Sequence, residues 1–267
     1  MELAQHHRNT EASRTLAVLI GQIAHDPALL PALKTAVDAD SRWLDRVVRQ
    51  MPGQKVPLIM ALPLASDLLA ESTLPPALGQ YMIRQLKAEG FWLDAYGLWL
   101  NLWKRPMDLL FNGDFEQAFI AHGFDWEITD PNIHRAGAQV YQSGRGDRGQ
   151  VLQVVFTGRQ MRLPIVRQHL LLPPGSYRFS GEFQSSELRS QNGLSWVFTC
   201  ATGGKELGRT MAISSQGRSW QKLFLPITVP KDCGLGVELS LRTQAPFEAR
   251  AGIRGEVLFD RFNLVKE

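Results

Sequence analysis

Asp125 and Glu127 flank Trp126, and two carboxyl groups at such spacing could supply a general acid and a general base. On a strand, however, both lie on one face, whereas glycosidic acid pairs come from different strands across a cleft. They read as surface acids. Gly144-Arg145-Gly146-Asp147-Arg148-Gly149 is glycine-rich but is followed by a strand pattern, so it predicts a hairpin loop and not a phosphate cradle. His6, His7, His122, His134 and His169 lack the i,i+4 or HxH spacing of transition-metal ligands. GxSxG, HExxH, P-loop and GxGxxG motifs are missing from any suitable context, so catalysis is not expected. Recognition is. Arg178, Glu182 and Gln184 on one stretch and Glu238 and Arg242 on another form a polar face that reads equally as a ligand platform or as a solvated sheet face. Tyr141 and His134, on the stretch 133–142, are the candidate aromatic-type residues at its rim.

Those side chains need strands to hold them, and period-two alternation runs through the second part of the chain. Tyr177, Phe179, Gly181 and Phe183 point one way, and Arg178, Ser180, Glu182 and Gln184 the other. Leu194, Trp196, Phe198 and Cys200 share an inward face, as do Leu235, Val237, Leu239 and Leu241. Val151, Gln153 and Val155 alternate with Leu152, Val154 and Phe156, apolar on both faces, which predicts a central strand. Turn signals at Pro173-Pro174-Gly175, Asn192-Gly193, Gly203-Gly204 and Gln216-Gly217 separate the runs. An antiparallel two-sheet jelly roll of roughly eight to ten strands is expected. By parity and position Trp196, Trp126 and Trp220 are assigned to its core.

Before residue 106 the spacing is helical. Leu16, Leu19, Ile20 and Ile23 share one face, Leu29, Leu30, Leu33 and Val37 the next, and Trp43, Leu44, Val47 and Val48 a third. Residues 76–89 and 91–104 predict two helices joined at Glu89-Gly90-Phe91. The fold class is therefore multidomain α + β: all-α helical hairpins over 1–106, then an antiparallel β-sandwich over 107–267. No apolar stretch reads as a membrane span or a signal peptide.

The 267 residues carry a net charge of only +3, with 44% apolar and 21% charged residues. Arginines are scattered singly, with no basic run, which argues against nucleic acid. Cys200 and Cys233 have no metal spacing; they form either one disulfide in an exported protein or two core thiols.

Several short segments occur in a telling order: Leu109-Leu110-Phe111-Asn112-Gly113-Asp114-Phe115-Glu116, Trp126, Leu172-Pro173-Pro174-Gly175-Ser176-Tyr177, Ser219-Trp220, Val229-Pro230, and Phe259-Asp260-Arg261-Phe262-Asn263-Leu264. Over 109–265 the chain resembles the carbohydrate-binding-module type of β-sandwich, the galactose-binding-like jelly roll. The resemblance implies an oligosaccharide or polysaccharide ligand. It also implies a structural calcium ion between first and last strands, held by carboxylates of Glu116 and Asp260 and carbonyls of Gly113 and Asn112. The competing reading has Glu116 and Asp260 bonding backbone amides at the sheet edge. Gly90, Ala95, Trp99 and Pro106 resemble one degenerate tetratricopeptide hairpin, in which small residues let two helices approach. Helical-repeat proteins with such modules imply an extracytoplasmic role in bacterial cell-surface or exopolysaccharide assembly or export. The alternative is a protein-interaction module in which both parts form one docking unit.

Overall fold

The computed structural model describes residue 15 and residues 17–267, apart from 21, 25, 27, 40, 41, 129–136, 216 and 218. The chain divides into two compact units, one ending at Met107 and one spanning Asp108–Glu267.

The described helices of the first unit include α1 (Leu30–Ala39), α2 (Arg42–Gln50), α3 (Leu62–Ala70), α4 (Pro76–Ala88) and α5 (Trp92–Trp103). Helices α3 and α4 carry proline in the first turn, where a missing N–H leaves no bond unmade. Helices α4 and α5 pack as a hairpin, with Ala95 and Trp99 fully buried. The sequence pattern has Gly90 letting the helices approach closely, but it does not: it has φ +91° and open space where a Cβ would lie. It instead takes the left-handed turn that ends α4. Close approach occurs at Gly79, where an added Cβ would lie 2.8 Å from Leu102 Cδ2. Leu19 and Leu29, expected on buried faces, are 41% and 46% exposed, whereas Ala17 and Ile20 are buried.

The second unit comprises β1 (Glu127–Ile128), β2 (Ala138–Gly144), β3 (Gln150–Thr157), β4 (Val166–Leu171), β5 (Gly175–Arg189), β6 (Leu194–Cys200), β7 (Glu206–Arg209), β8 (Gln221–Val229), β9 (Gly236–Thr243) and β10 (Arg254–Lys266), with a short helix α6 (Pro246–Ala251) before the last strand. They form two five-stranded sheets, β1-β4-β9-β6-β7 and β2-β3-β10-β5-β8, with every strand pairing antiparallel. The fold is a jelly-roll β-sandwich. Its core comes from the inward sets of both sheets, among them Tyr177, Phe179 and Phe183 from β5, Trp196 and Phe198 from β6, and Leu239 and Leu241 from β9. As expected, β3 lies between two strands, β2 and β10.

Phe262 is the hub of that core. Its ring centroid lies 5.0 Å from Trp196, 5.1 Å from Phe179, 5.3 Å from Phe115 and 6.1 Å from Trp126, mostly edge to face. Each such pair adds roughly 0.5–1.5 kcal/mol beyond simple burial. The space is created locally: a Cβ on Gly181 would fall 2.4 Å from the Phe262 ring.

The Asn112–Glu116 motif is not the first strand. It is a turn with φ +51° at Asn112 and +58° at Phe115. The turn sits against the end of the sandwich, because Phe262 N–H donates to the Gly113 carbonyl at 2.8 Å. A Cβ on Gly113 would lie 2.1 Å from the Phe262 carbonyl oxygen, so the backbones meet only because residue 113 has no side chain.

Cys200 and Cys233 are joined in a disulfide with a Cα–Cα distance of 5.2 Å. It ties the end of β6 in one sheet to the link between β8 and β9, where the chain crosses sheets. Strand β8 is an edge strand, and Pro226 sits within it opposite Arg178. An edge tolerates a residue without an N–H, as a central position does not.

Candidate functional site

The polar residues read as one face belong to two. Arg178, Glu182 and Gln184 project outward from β5, and Glu238 and Arg242 project outward from β9 in the opposite sheet. Both strands turn their apolar residues into the same core, so their polar alternates must point away from each other. Parity within a strand reveals its two sides. It does not reveal which sheet the strand joins.

On the β9 sheet the acids and bases satisfy one another. Glu238 accepts from Arg242 Nη2 at 3.0 Å and from Arg167 Nη1 at 3.3 Å, and Arg167 also pairs with Glu127 at 2.9 Å. His169 lies between Glu127 and Glu238, 3.8 Å from each. Asp125, read from sequence as a surface acid, is fully buried and accepts from the backbone N–H groups of Ile120 and Trp126.

The β5 sheet is different. Its outer face is laid out in rows fixed by strand register. One row is Tyr141, Gln153, Leu258 and Gln184 across β2, β3, β10 and β5. The next is Asp260, Glu182 and Lys222, and beyond it Asn263, Ser180 and Phe224, across β10, β5 and β8. Phe224 is 58% exposed and Tyr141 36% exposed, and the Tyr141 hydroxyl donates to Gln139 Oε1 at 2.6 Å. Trp126 and Trp196 are fully buried, as parity indicates, but Trp220 is not core: it is half-buried on this face. The Arg148 guanidinium carbon lies 3.9 Å from its ring centroid, a cation–π contact. Trp220, Lys222 and Phe224 share one parity at the start of β8, a signal visible in the sequence once that strand is set in register.

Two arginines from the β2–β3 hairpin reach over this face. Arg148 donates through Nη1 to Asp260 at 2.7 Å and through Nη2 to Glu182 at 2.5 Å. Arg145 donates to Glu256 Oε1 at 3.2 Å, and Gln153 Nε2 donates to the same oxygen at 2.6 Å. Arg145, Glu256, Leu258, Gln184 and Ser186 line a cleft of about 280 Å³ with Leu258 as its apolar floor. Burial pushes the Asp260 carboxyl above its ordinary value, while bonds from Arg148 and the Arg261 N–H pull it back. Burial works to lower the Arg148 value, and the bonds to Glu182 and Asp260 overcome it and hold the guanidinium charged.

The four residues expected to hold calcium do not form an oxygen cage. Glu116 Oε1 accepts the Gln150 N–H at 2.9 Å, and Asp260 is taken by Arg148. The Gly113 carbonyl accepts from Phe262, and the Asn112 carbonyl from Trp126 Nε1 at 3.0 Å. The Asn112 side chain is bonded to the backbone of Gln117. Among the described residues there is no group of three or more His, Cys, Asp or Glu side chains that could hold a metal. Oxygens already accepting N–H donors, with a guanidinium at the carboxylate, do not fit a hard cation that wants six to eight oxygens. Arg148 and the Gln150 N–H instead connect the first turn and the last strand through one hairpin. Chelation with EDTA is therefore expected to leave the melting temperature unchanged; a fall that added calcium reverses would show a cation displacing Arg148. His134 lies outside the described residues.

In the helical unit, α3 and α5 border a cleft of about 430 Å³ lined by Leu62, Leu69, Leu93, Asp94, Gly97 and Leu98, among others. Leu93 there is 64% exposed. No described helix is long and apolar enough to cross a membrane.

No family model matches the sequence, and no curated protein matches it. Among solved structures, a chain described as "CBM4 structure and function" is 14% identical, with a TM-score of 0.43 over 59% of this chain and 99% of that one. TmCBM61 in complex with β-1,4-galactotriose is 16% identical, with a TM-score of 0.38 over 61% of this chain and 100% of that one. The CBM22-1 xylan-binding domain from Paenibacillus barcinonensis Xyn10C is 16% identical, with a TM-score of 0.38 over 58% of this chain and 91% of that one.

Proposed function

We propose that this protein binds carbohydrate on the outer face of the β2-β3-β10-β5-β8 sheet. The observation that carries the reading is the grouping of Trp220, Phe224 and Tyr141 with Gln153, Gln184, Asn263 and Ser180 on one face. Sugar rings present C–H faces that pack on aromatic rings and hydroxyls that bond amides and charged groups. Exposed aromatics interleaved with amides offer both. The disulfide supports a location in an oxidising compartment, outside the cytoplasm, where cell-surface polysaccharides are handled. The cleft between α3 and α5 supports the second reading, a protein-docking role for the helical unit.

Phe224 provides the test, because its ring is 58% exposed and a surface substitution there leaves stability within about 0.5 kcal/mol. Phe224→Ala is expected to weaken glycan binding roughly tenfold, from loss of about 1.4 kcal/mol of ring contact, with the melting temperature unchanged. Affinity measured by calorimetry against glycans selected on an array checks this. Undiminished affinity in the variant would move the site to another surface.

A further inference from the structure

We propose that this face selects a carboxylate-bearing polysaccharide, a polyuronate, over a neutral one. The inference rests on the sugar-binding reading above and concerns the charge left over once the face has satisfied itself. Lys222 stands directly opposite Glu182 across β5 and β8, the position from which a lysine would neutralise a cross-strand carboxylate. It forms no ion pair with it. Glu182 Oε2 is already held by Arg148 at 2.5 Å, and the same guanidinium holds Asp260. One arginine thereby takes both carboxylates of this row at the shortest distances, leaving Arg261 in looser pairs of 3.7 and 3.9 Å with the same acids and Lys222 without an ion pair to Glu182.

Those cations surround the aromatic residues. Lys222 is exposed on β8 between Trp220 and Phe224, about 7 Å along the strand from each. Arg178, opposite Pro226 in the same ladder, is 52% exposed and lies 3.9 Å from Glu267, beyond hydrogen-bond reach. Arg261 is 61% exposed, 3.7 Å from Glu182 and 3.9 Å from Asp260, both of which Arg148 engages more closely. The Arg145 and Glu256 pair is neutral. With that pair set aside, the four cations Arg148, Arg178, Lys222 and Arg261 meet the three carboxylates Glu182, Asp260 and Glu267, a surplus of one positive charge among these residues. The two guanidiniums present planar donor forks, which match a planar carboxylate in two-bond geometry. A ring stacked on Phe224 with its carboxylate toward Arg178 or Lys222 would use both kinds of contact.

The experiment uses the full chain, a polyuronate such as polygalacturonate, the same polymer after carboxyl reduction, and a sulfated polysaccharide. The polyuronate is expected to bind at least tenfold more tightly than its reduced form at low salt, and the preference is expected to shrink as salt rises. Lys222→Ala is expected to lower polyuronate affinity several-fold while leaving the reduced polymer unaffected, and Arg178→Ala is expected to lower polyuronate affinity several-fold more than that of the reduced polymer. Equal, salt-insensitive binding of the native and reduced polymers would overturn the charge preference and leave the sugar-binding reading standing. Binding of the sulfated polymer but not the polyuronate would overturn the carboxylate assignment. Binding of none of the three, with the parent chain also binding no glycan on the array, would overturn both.

Discussion

Arg148→Ala is expected to destabilise the sandwich by about 3 kcal/mol, a fall of roughly 6–12 °C in melting temperature. Asp260 is only 2% exposed, and Arg148 is the guanidinium that meets its carboxylate within hydrogen-bond distance. Removing one partner of a buried pair leaves a charge that water cannot reach. Glu182 and the Trp220 ring lose the same group. The loss is expected to depend on pH. Burial already raises the Asp260 carboxyl above its ordinary 3.8, and without Arg148 it rises further. An acid with a raised folded value contributes stability in full below its unfolded value, and that contribution is lost as pH rises through the folded value. The variant should therefore lie close to the parent near about pH 4 and fall away toward about pH 7. Adding Asp260→Asn to Arg148→Ala should recover part of the loss. Chemical denaturation at both pH values checks the prediction, and a pH-independent difference would mean that packing of the arginine, not its charge, is what matters.

Replacing both Cys200 and Cys233 by alanine is expected to cost about 3–4 kcal/mol, the entropy of opening a loop with a sequence separation of 33 in the unfolded chain. For a unit of this size that is roughly 10 °C. Cys200 and Cys233 are both buried, 2% and 3% exposed, so a reductant should act on the folded protein only slowly. Comparing denaturant midpoints of the parent, the reduced parent and the double variant separates the cross-link from the lost side-chain volume. If reduction leaves the midpoint in place, the bond does not stabilise the native fold.

Much of the architecture was legible because burial imposes periodicity. Leu194, Trp196, Phe198 and Cys200 face the core as their alternation requires, and β3 is central as its two apolar sides require. The site was less legible because it depends on long-range register. Nothing local tells that β5 and β9 lie in opposite sheets, so strand parity alone groups Arg178 with Glu238, whereas the core separates them. Trp220 stands one residue before β8, and only its register with Phe224 brings it to the outer face. The Asn112–Glu116 motif looked like a strand, yet positive φ at Asn112 and Phe115 makes it a turn held by Phe262. The calcium expectation met the same limit. Glu116 and Asp260 could be named from their motifs, but the Gln150 amide and Arg148 that answer them come from a hairpin in between.

The strand that displays Trp220, Lys222 and Phe224 is also the edge of its sheet. A ligand-facing edge with exposed aromatics is open to a competitor, a second copy of the same strand adding itself along the unpaired backbone. Pro226 has no N–H to offer such a copy, and in the alignment that sets Lys222 opposite its counterpart two positive charges would meet. The residues that give β8 its recognition chemistry thus lie beside ones that keep it from polymerising, so altering Pro226 or Lys222 trades solubility as well as affinity.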